Sequence, residues 1–216
     1  LSKILEKRGY ETHFCEGDAL FPKSKNSIYF NKNTPISGSF KFDSEKLREF
    51  NINEMVEDTT TLAEGKGICI YTAHMLLFLS MTPILHNRFK QKGISDEIFY
   101  DTMRDLRYKL IECRLVHGKY GTMTTKWYER IFEMKIFALG RLQFELNQTW
   151  FESKVNGKVY PKGTKVLSVH IPRTGTKLEH SLVLDSYNRA REFFKDQFDG
   201  DIIFICSSWL LYPWNR

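Results

Sequence analysis

The sequence predicts an α+β chain. A mainly helical part, residues 1–140, precedes a mixed α/β part, residues 141–216, that contains a βαβ unit. Three observations predict this division. From Ser44 to Gly140 the apolar residues recur at steps of three and four, the spacing of one helix face. At "RLQFEL" the period changes to two: Leu142, Phe144 and Leu146 alternate with Arg141, Gln143 and Glu145, as in a half-buried strand. Finally "KVLSVHI", an amphipathic stretch and "DIIFIC" read as strand, helix and strand, a crossover that is normally parallel and right-handed.

The first 43 residues are weakly patterned. "LSKILEKRG" reads as the end of a helix stopped by Gly9. "FPKSKNSIYFNKNTPISGSF", rich in Lys, Asn, Ser and Pro, reads as loops with one short strand. "SEKLREFNINEMVED" opens a helix at a capping Ser44. "GICIYTAHMLLFLSM" is apolar nearly all round and belongs inside a bundle, with a kink or split at Pro83 before "PILHNRFKQKG". "SDEIFYDTMRDLRYKLIECRLVHG" reads as one helix capped by Ser95 and closed by Gly118, and "TTKWYERIFEMKIFALG" as another ending at Gly140. Four or five helices make a bundle-like part. In the second part, Asn156-Gly157 between strand-like segments is a hairpin signal. Leu182–Phe198 is a helix with Val183, Tyr187, Ala190 and Phe194 on one stripe, and "DIIFIC" has the all-apolar pattern of a central strand.

Composition narrows the function classes. A chain of 216 residues, 42% hydrophobic, can bury a core, and large-scale disorder is excluded. The net charge of +6 is scattered and suits an anionic ligand such as a nucleotide or coenzyme. Basic and aromatic residues mix in "KWYERIFEMK" and "NRFKQK", but no zinc finger, RNP-type motif or helix-turn-helix signature accompanies them, so no nucleic-acid partner is expected. The longest apolar run, Met75–Leu85, is too short to span a bilayer; no membrane partner is expected. Cys15, Cys69, Cys113 and Cys206 form no CxxC pair, no metal is expected, and the usage fits a reducing, cytoplasmic compartment. The chain starts at Leu1 rather than Met, which suggests a piece of a longer protein. The oligomeric state is not encoded in any pattern.

In α/β sheets, ligands gather beyond the carboxyl ends of the strands. His170 stands near the end of one strand, Arg173-Thr174-Gly175-Thr176 form the loop after it, and Ser207-Ser208 follow the other strand. The loop suits a phosphate, with a glycine for close backbone approach and Arg173 and Lys177 for charge. The same residues also make a plain turn, with threonine as a cap. His170 has the pKa range of a general base, or is a structural strand histidine. Glu145 is either an alternative base or part of a solvated strand face. Ser207 and Ser208 either donate hydrogen bonds to a reacting group or cap "SSWLLY". Cys206, in an apolar run, reads as a core thiol rather than a nucleophile. Asp101, Arg104, Asp105 and Tyr108 make either a polar binding face or surface pairs.

The ordered set "FYDTMRDL", "GRLQFEL", "VLSVHIP..G..L", "REFFKDQF" and "FICSSWLL" resembles a bacterial acyltransferase-domain family. Its members join a helical N-acyltransferase N-terminal region to a GNAT-like C-terminal domain. The resemblance implies an acyl-CoA-dependent acyltransferase using acetyl-CoA or another acyl-CoA as co-substrate. The acceptor is a small molecule or peptide with an amine or hydroxyl. His170 or Glu145 is implied as base and Ser208 as donor to the oxyanion or leaving thiolate. Arg173, Thr174, Gly175 and Thr176 stand where the pyrophosphate loop falls. That loop is usually Q/R-x-x-G-x-G/A, which this sequence matches in part and with shorter spacing. The family's histidine between Cys and Ser is here Ser207. These two departures keep open a non-catalytic GNAT-like binding or scaffolding module. A full GNAT domain also continues beyond the second βαβ strand, so the C-terminal domain is expected to be incomplete at Arg216.

Overall fold

The computed structural model describes residues 11–15, 27–31, 51–155 and 157–208. In chain order its elements are β1 (Glu11–Cys15), β2 (Ser27–Asn31), α1 (Ile52–Gly65), α2 (Ile70–Gln91), α3 (Asp96–Met103), α4 (Asp105–His117), α5 (Thr125–Phe132), β3 (Ile136–Leu139), β4 (Leu142–Gln148), β5 (Ser153–Val155), β6 (Lys158–Tyr160), β7 (Lys165–His170), α6 (His180–Phe194) and β8 (Phe204–Cys206). They fall into two compact units. One holds the described residues up to Asp96 together with Leu106–Glu133; the other holds Glu97–Asp105 together with those from Met134 onward.

In the first unit β1 and β2 pair in parallel, and β2 falls within the Lys/Asn-rich stretch expected to hold one strand. The expected helix end at Gly9 and the Ser44 cap lie outside the described residues. Within them α1 starts at Ile52, where the Asn51 side chain accepts hydrogen bonds from the N–H of Asn53 (3.1 Å) and Glu54 (3.3 Å). Helix α2 supplies much of the unit's core, with Leu77, Phe78, Met81, Ile84, Leu85 and Phe89 buried. Phe78 meets Tyr128 and Phe132 of α5 at ring-centroid distances of 4.7 and 5.8 Å. No second helix starts at Pro83: α2 runs through it. Proline cannot donate to the Leu79 carbonyl, and the Thr82 hydroxyl does so instead, at 2.8 Å.

Two expected helices end sooner than their patterns suggest. The Ser95–Gly118 pattern is two helices, α3 and α4, interrupted at Arg104. Thr102 and Asp105, at the junction, are buried and bonded to the sheet of the second unit. The Thr102 hydroxyl accepts from the Ala138 N–H at 2.9 Å, and Asp105 accepts from the Gln143 amide at 3.4 Å. The helix expected to reach Gly140 stops at Phe132. Met134 takes the left-handed conformation (φ 58°), which ends the helix, and Ile136–Leu139 then form β3, buried along its whole length.

The second unit is built on a four-stranded sheet in the order β3-β4-β7-β8. β4 is antiparallel to both β3 and β7, whereas β7 and β8 run parallel, joined by α6 as the βαβ reading predicts. β5 and β6 form the hairpin signalled by Asn156-Gly157. α6 begins at His180 and ends at Phe194, with Ala190 and Phe194 buried on the expected stripe and Tyr187 beside them. It covers the sheet face that carries Phe137, Phe144 and Phe204. Tyr187 meets Phe144 and Phe204 at 5.8 and 4.8 Å, and Phe194 meets Phe137 at 6.1 Å. Burying the Phe137, Phe144 and Phe194 rings contributes roughly 1.5–3 kcal/mol each. β8 is not a central strand: among the described residues it ends the sheet order and pairs with β7 alone.

Candidate active site

The opposite face of the sheet carries the polar residues. In the β4–β7 register Glu145 lies across from Ser168, and Gln143 across from His170. Side chains two apart on a strand share a face, so Gln143, Glu145, Ser168 and His170 point to the same side. Glu145 and His170 are diagonal neighbours there, a separation that long side chains bridge. Their Nε2–Oε2 distance is 3.1 Å, with the carboxylate buried and the imidazole about a quarter exposed. The two alternative bases of the sequence reading are therefore one pair. Glu145 is not on a solvated strand face: Gln143 and Glu145 are 2% and 3% exposed, and β4 is buried on both faces over Leu142–Glu145.

In the tautomer that donates Nε2–H to Glu145, the imidazole nitrogen with the lone pair is Nδ1. A buried carboxylate in this position fixes the orientation of the ring. The backbone around the ring is distinctive. β7 keeps its β4 partner as far as His170, but its ladder with β8 ends one residue earlier, at Val169–Cys206. His170 thus stands where the two parallel strands stop pairing. Ser208 lies two residues beyond β8 and is half-buried. Burial raises the Cys206 thiol above its usual pKa, which disfavours a thiolate nucleophile.

The loop after β7 is tied back on itself. The Thr174 N–H donates to the Pro172 carbonyl (2.9 Å), the Thr176 N–H donates to the Thr174 hydroxyl (3.2 Å), and the two threonine hydroxyls meet at 2.6 Å. Gly175 has φ 80°, a left-handed conformation that favours glycine, and a Cβ there would meet nothing within 4 Å. Arg173 and Lys177 are exposed beside it. An exposed, open, glycine-centred loop flanked by two cations fits a phosphate group. Lys177–Glu179 join the loop to α6, and Glu179 is the N-cap of that helix.

Beneath the loop lies a residue whose part the sequence did not disclose. Arg141 donates through Nη1 to the Pro172 carbonyl (3.0 Å) and through Nη2 to the Thr176 carbonyl (3.2 Å). Its own backbone N–H is held by the buried Ser186 hydroxyl of α6 at 2.8 Å. Gly140, at the tight β3–β4 turn (φ 78°), lets this contact form, because a Cβ there would fall 2.9 Å from the Ser186 hydroxyl. A glycine-arginine pair between two strands signals a turn; nothing in the sequence ties that turn to residues 172 and 176. Of the other polar candidates, Asp101 and Arg104 form a surface ion pair at 3.1 Å, whereas Asp105 is buried on Gln143. Among the described residues no cluster of His, Cys, Asp and Glu is arranged to hold a metal, and no helix is long and apolar enough to cross a membrane.

Comparison with known proteins identifies both parts of the chain. Residues 34–134 match the N-acyltransferase N-terminal domain, and residues 136–214 match the GNAT-like C-terminal domain. The chain belongs to the family that joins these two domains. Among solved structures it is similar to an acyltransferase in complex with decanoyl-CoA and teicoplanin, at 28% identity and a TM-score of 0.57. It is likewise similar, at 27% identity and the same TM-score of 0.57, to an acyltransferase in complex with CoA and 10C-teicoplanin and to an acyltransferase mutant in complex with octanoyl-CoA. Each match covers 70% of this chain but 44% of the other, so the chain spans less than half the length of these neighbours. No curated protein matches it. The helical region followed by a mixed GNAT-like sheet, expected from the sequence, is the fold of this N-acyltransferase-type chain.

Proposed function

We propose that this chain acts in an acyl-CoA-dependent acyltransferase, moving an acyl group from a CoA thioester to an amine or hydroxyl on a small molecule. The observation that carries the reading is the His170–Glu145 pair, 3.1 Å apart, at the point where β7 and β8 stop pairing. In this reading the thioester lies beyond the end of the β7–β8 ladder, and the pair beside it is the base. As the acceptor attacks the thioester carbonyl, a new C–N or C–O bond forms and the acceptor's proton passes to His170 Nδ1. The C–S bond then breaks, and the proton goes to the departing CoA thiolate. Ser208 is the proposed donor to the oxyanion or thiolate, and the Arg173–Thr176 loop is the proposed pyrophosphate site. The decanoyl-CoA, octanoyl-CoA and teicoplanin complexes of the similar acyltransferases favour medium-chain acyl donors and a small-molecule acceptor. Cys69, Cys113 and Cys206 are free thiols, which agrees with a reducing, cytoplasmic setting.

A second reading is a non-catalytic acyl-CoA-binding module. It is favoured by the Thr174 and Thr176 N–H groups, which are already bonded within the loop, and by Ser207 in place of the family's histidine. Thermal shift and thiol release with acetyl-, octanoyl- and decanoyl-CoA separate the readings. Stabilisation with thiol release on adding an amine or hydroxyl acceptor supports the enzyme. Stabilisation without release across a broad acceptor panel supports the module. No stabilisation by any acyl-CoA removes both.

A further inference from the structure

The contacts of Arg141 give it a role that neither the motif set nor the domain matches assign. The two guanidinium nitrogens hold the carbonyls of Pro172 and Thr176, at the two ends of the Arg173–Thr176 loop. In a planar trans peptide the C=O of one residue and the N–H of the next point in opposite directions. Drawing the Pro172 and Thr176 carbonyls inward onto Arg141 therefore turns the N–H groups of Arg173 and Lys177 outward. Hydrogen bonds from a cation also polarise those two peptide groups, which makes their N–H ends stronger donors. This matters because two other N–H groups of the loop, those of Thr174 and Thr176, are spent within it. The outward donors at residues 173 and 177 flank Gly175, whose Cβ direction is open.

We propose that Arg141 is a positioning residue for the pyrophosphate of the acyl-CoA. It acts from behind the loop and touches no substrate atom. It orients two backbone donors, one for each phosphate, and sets a half-buried positive charge beneath a dianion. The Ser186 hydroxyl and the Gly140 turn fix its backbone to the helix that follows the loop. The proposal rests on the acyltransferase reading and narrows it, since it assigns the pyrophosphate, not the acyl or pantetheine part, to this residue.

The test uses Arg141→Met, which removes the fork, and Arg141→Lys, which keeps the charge and one donor. Each variant is compared with wild type on octanoyl-CoA and on octanoyl-N-acetylcysteamine, a thioester with the same acyl group and no phosphates. The expected result is a rise of at least tenfold in Kd and KM for octanoyl-CoA in Arg141→Met, and a smaller rise in Arg141→Lys. The kcat with octanoyl-CoA, and all constants with the short thioester, are expected to hold within twofold. Equal losses on both substrates would mark Arg141 as structural and overturn the proposal, as would unchanged octanoyl-CoA constants in both variants. If Arg141→Met fails to fold, Arg141→Lys carries the same comparison. Failure of the wild-type protein to bind any acyl-CoA would remove the acyltransferase reading and the role of Arg141 together. Binding by wild type and variants alike would remove the role of Arg141 alone.

Discussion

Glu145→Gln separates stability from activity, because the two effects have opposite signs. The amide keeps the size of the carboxylate and can still meet His170 Nε2 across the 3.1 Å gap. It removes the negative charge. Glu145 is only 3% exposed, and a buried carboxylate carries a desolvation cost that a neutral amide avoids. The melting temperature of the variant is therefore expected to equal or exceed that of the wild type. Catalysis goes the other way. A hydrogen bond to a charged group is worth about 1.5–3 kcal/mol, and this one strengthens as the imidazole becomes cationic in the transition state. At about 1.4 kcal/mol per factor of ten, the loss in kcat is roughly 10- to 150-fold. The assay is thiol release from octanoyl-CoA at saturating acceptor, beside a thermal melt of the same preparation. A folded Glu145→Gln protein with kcat within twofold of wild type would refute the view that the carboxylate supports a proton-accepting His170. A large fall in melting temperature would refute the view that Glu145 serves the site rather than the core.

Three further perturbations address the scaffold. Ser186→Ala strips the buried acceptor from the Arg141 and Leu142 N–H groups (2.8 and 3.3 Å). The expected cost of about 2 kcal/mol lowers the melting temperature by roughly 4–8 °C in a chain of this size. Gly121→Ala drives a Cβ into the Tyr71 carbonyl group, against backbone held by the Thr122 N–H to Tyr71 bond, and is expected to cost about 3 kcal/mol in a denaturant titration. His74 is buried, and burial lowers its pKa below the ordinary value of 6.5. The unfolded chain then takes up the proton first, so stability is full above pH 6.5 or so and is lost as the pH falls toward the lowered folded value. Melting temperatures taken between pH 7 and pH 5 should fall more steeply in wild type than in His74→Gln.

The large features were legible because they rest on long periodic signals. The βαβ unit came from two apolar strands around an amphipathic helix, and the hairpin from Asn156-Gly157. The structure departs from the pattern where tertiary contacts outweigh local periodicity. "EMKIFALG" continues the helical spacing of α5, yet Met134 breaks the helix and Ile136–Leu139 are drawn into the sheet. The continuous period of residues 95–118 hid the junction at Arg104, which is set by bonds from Thr102 and Asp105 to strands more than thirty residues away. No window of sequence contains both partners of such a bond. The clamp from Arg141 to residues 172 and 176 was invisible for the same reason.

The alternation in "RLQFEL" predicts a half-buried strand; the strand forms but is buried on both faces, and the difference points to the site. A polar residue at every second position ordinarily means water on that face. In β4 the same positions are buried, and a buried glutamate or glutamine is tolerable only with a partner. Gln143 has Asp105 and Glu145 has His170. The structure thus carries the cost of two polar contacts in place of an apolar layer. An apolar layer would pack as well and raise stability. Retaining Glu145 and His170 there makes sense if the pair performs chemistry, and the end of the β7–β8 ladder beside the imidazole is where a substrate can reach it. Replacing the pair together, as Glu145→Leu with His170→Phe, should therefore leave the melting temperature within about 3 °C of wild type or raise it, while thiol release from octanoyl-CoA disappears. A double variant that still turns over would place the chemistry elsewhere. One that fails to fold would make the pair a structural device after all.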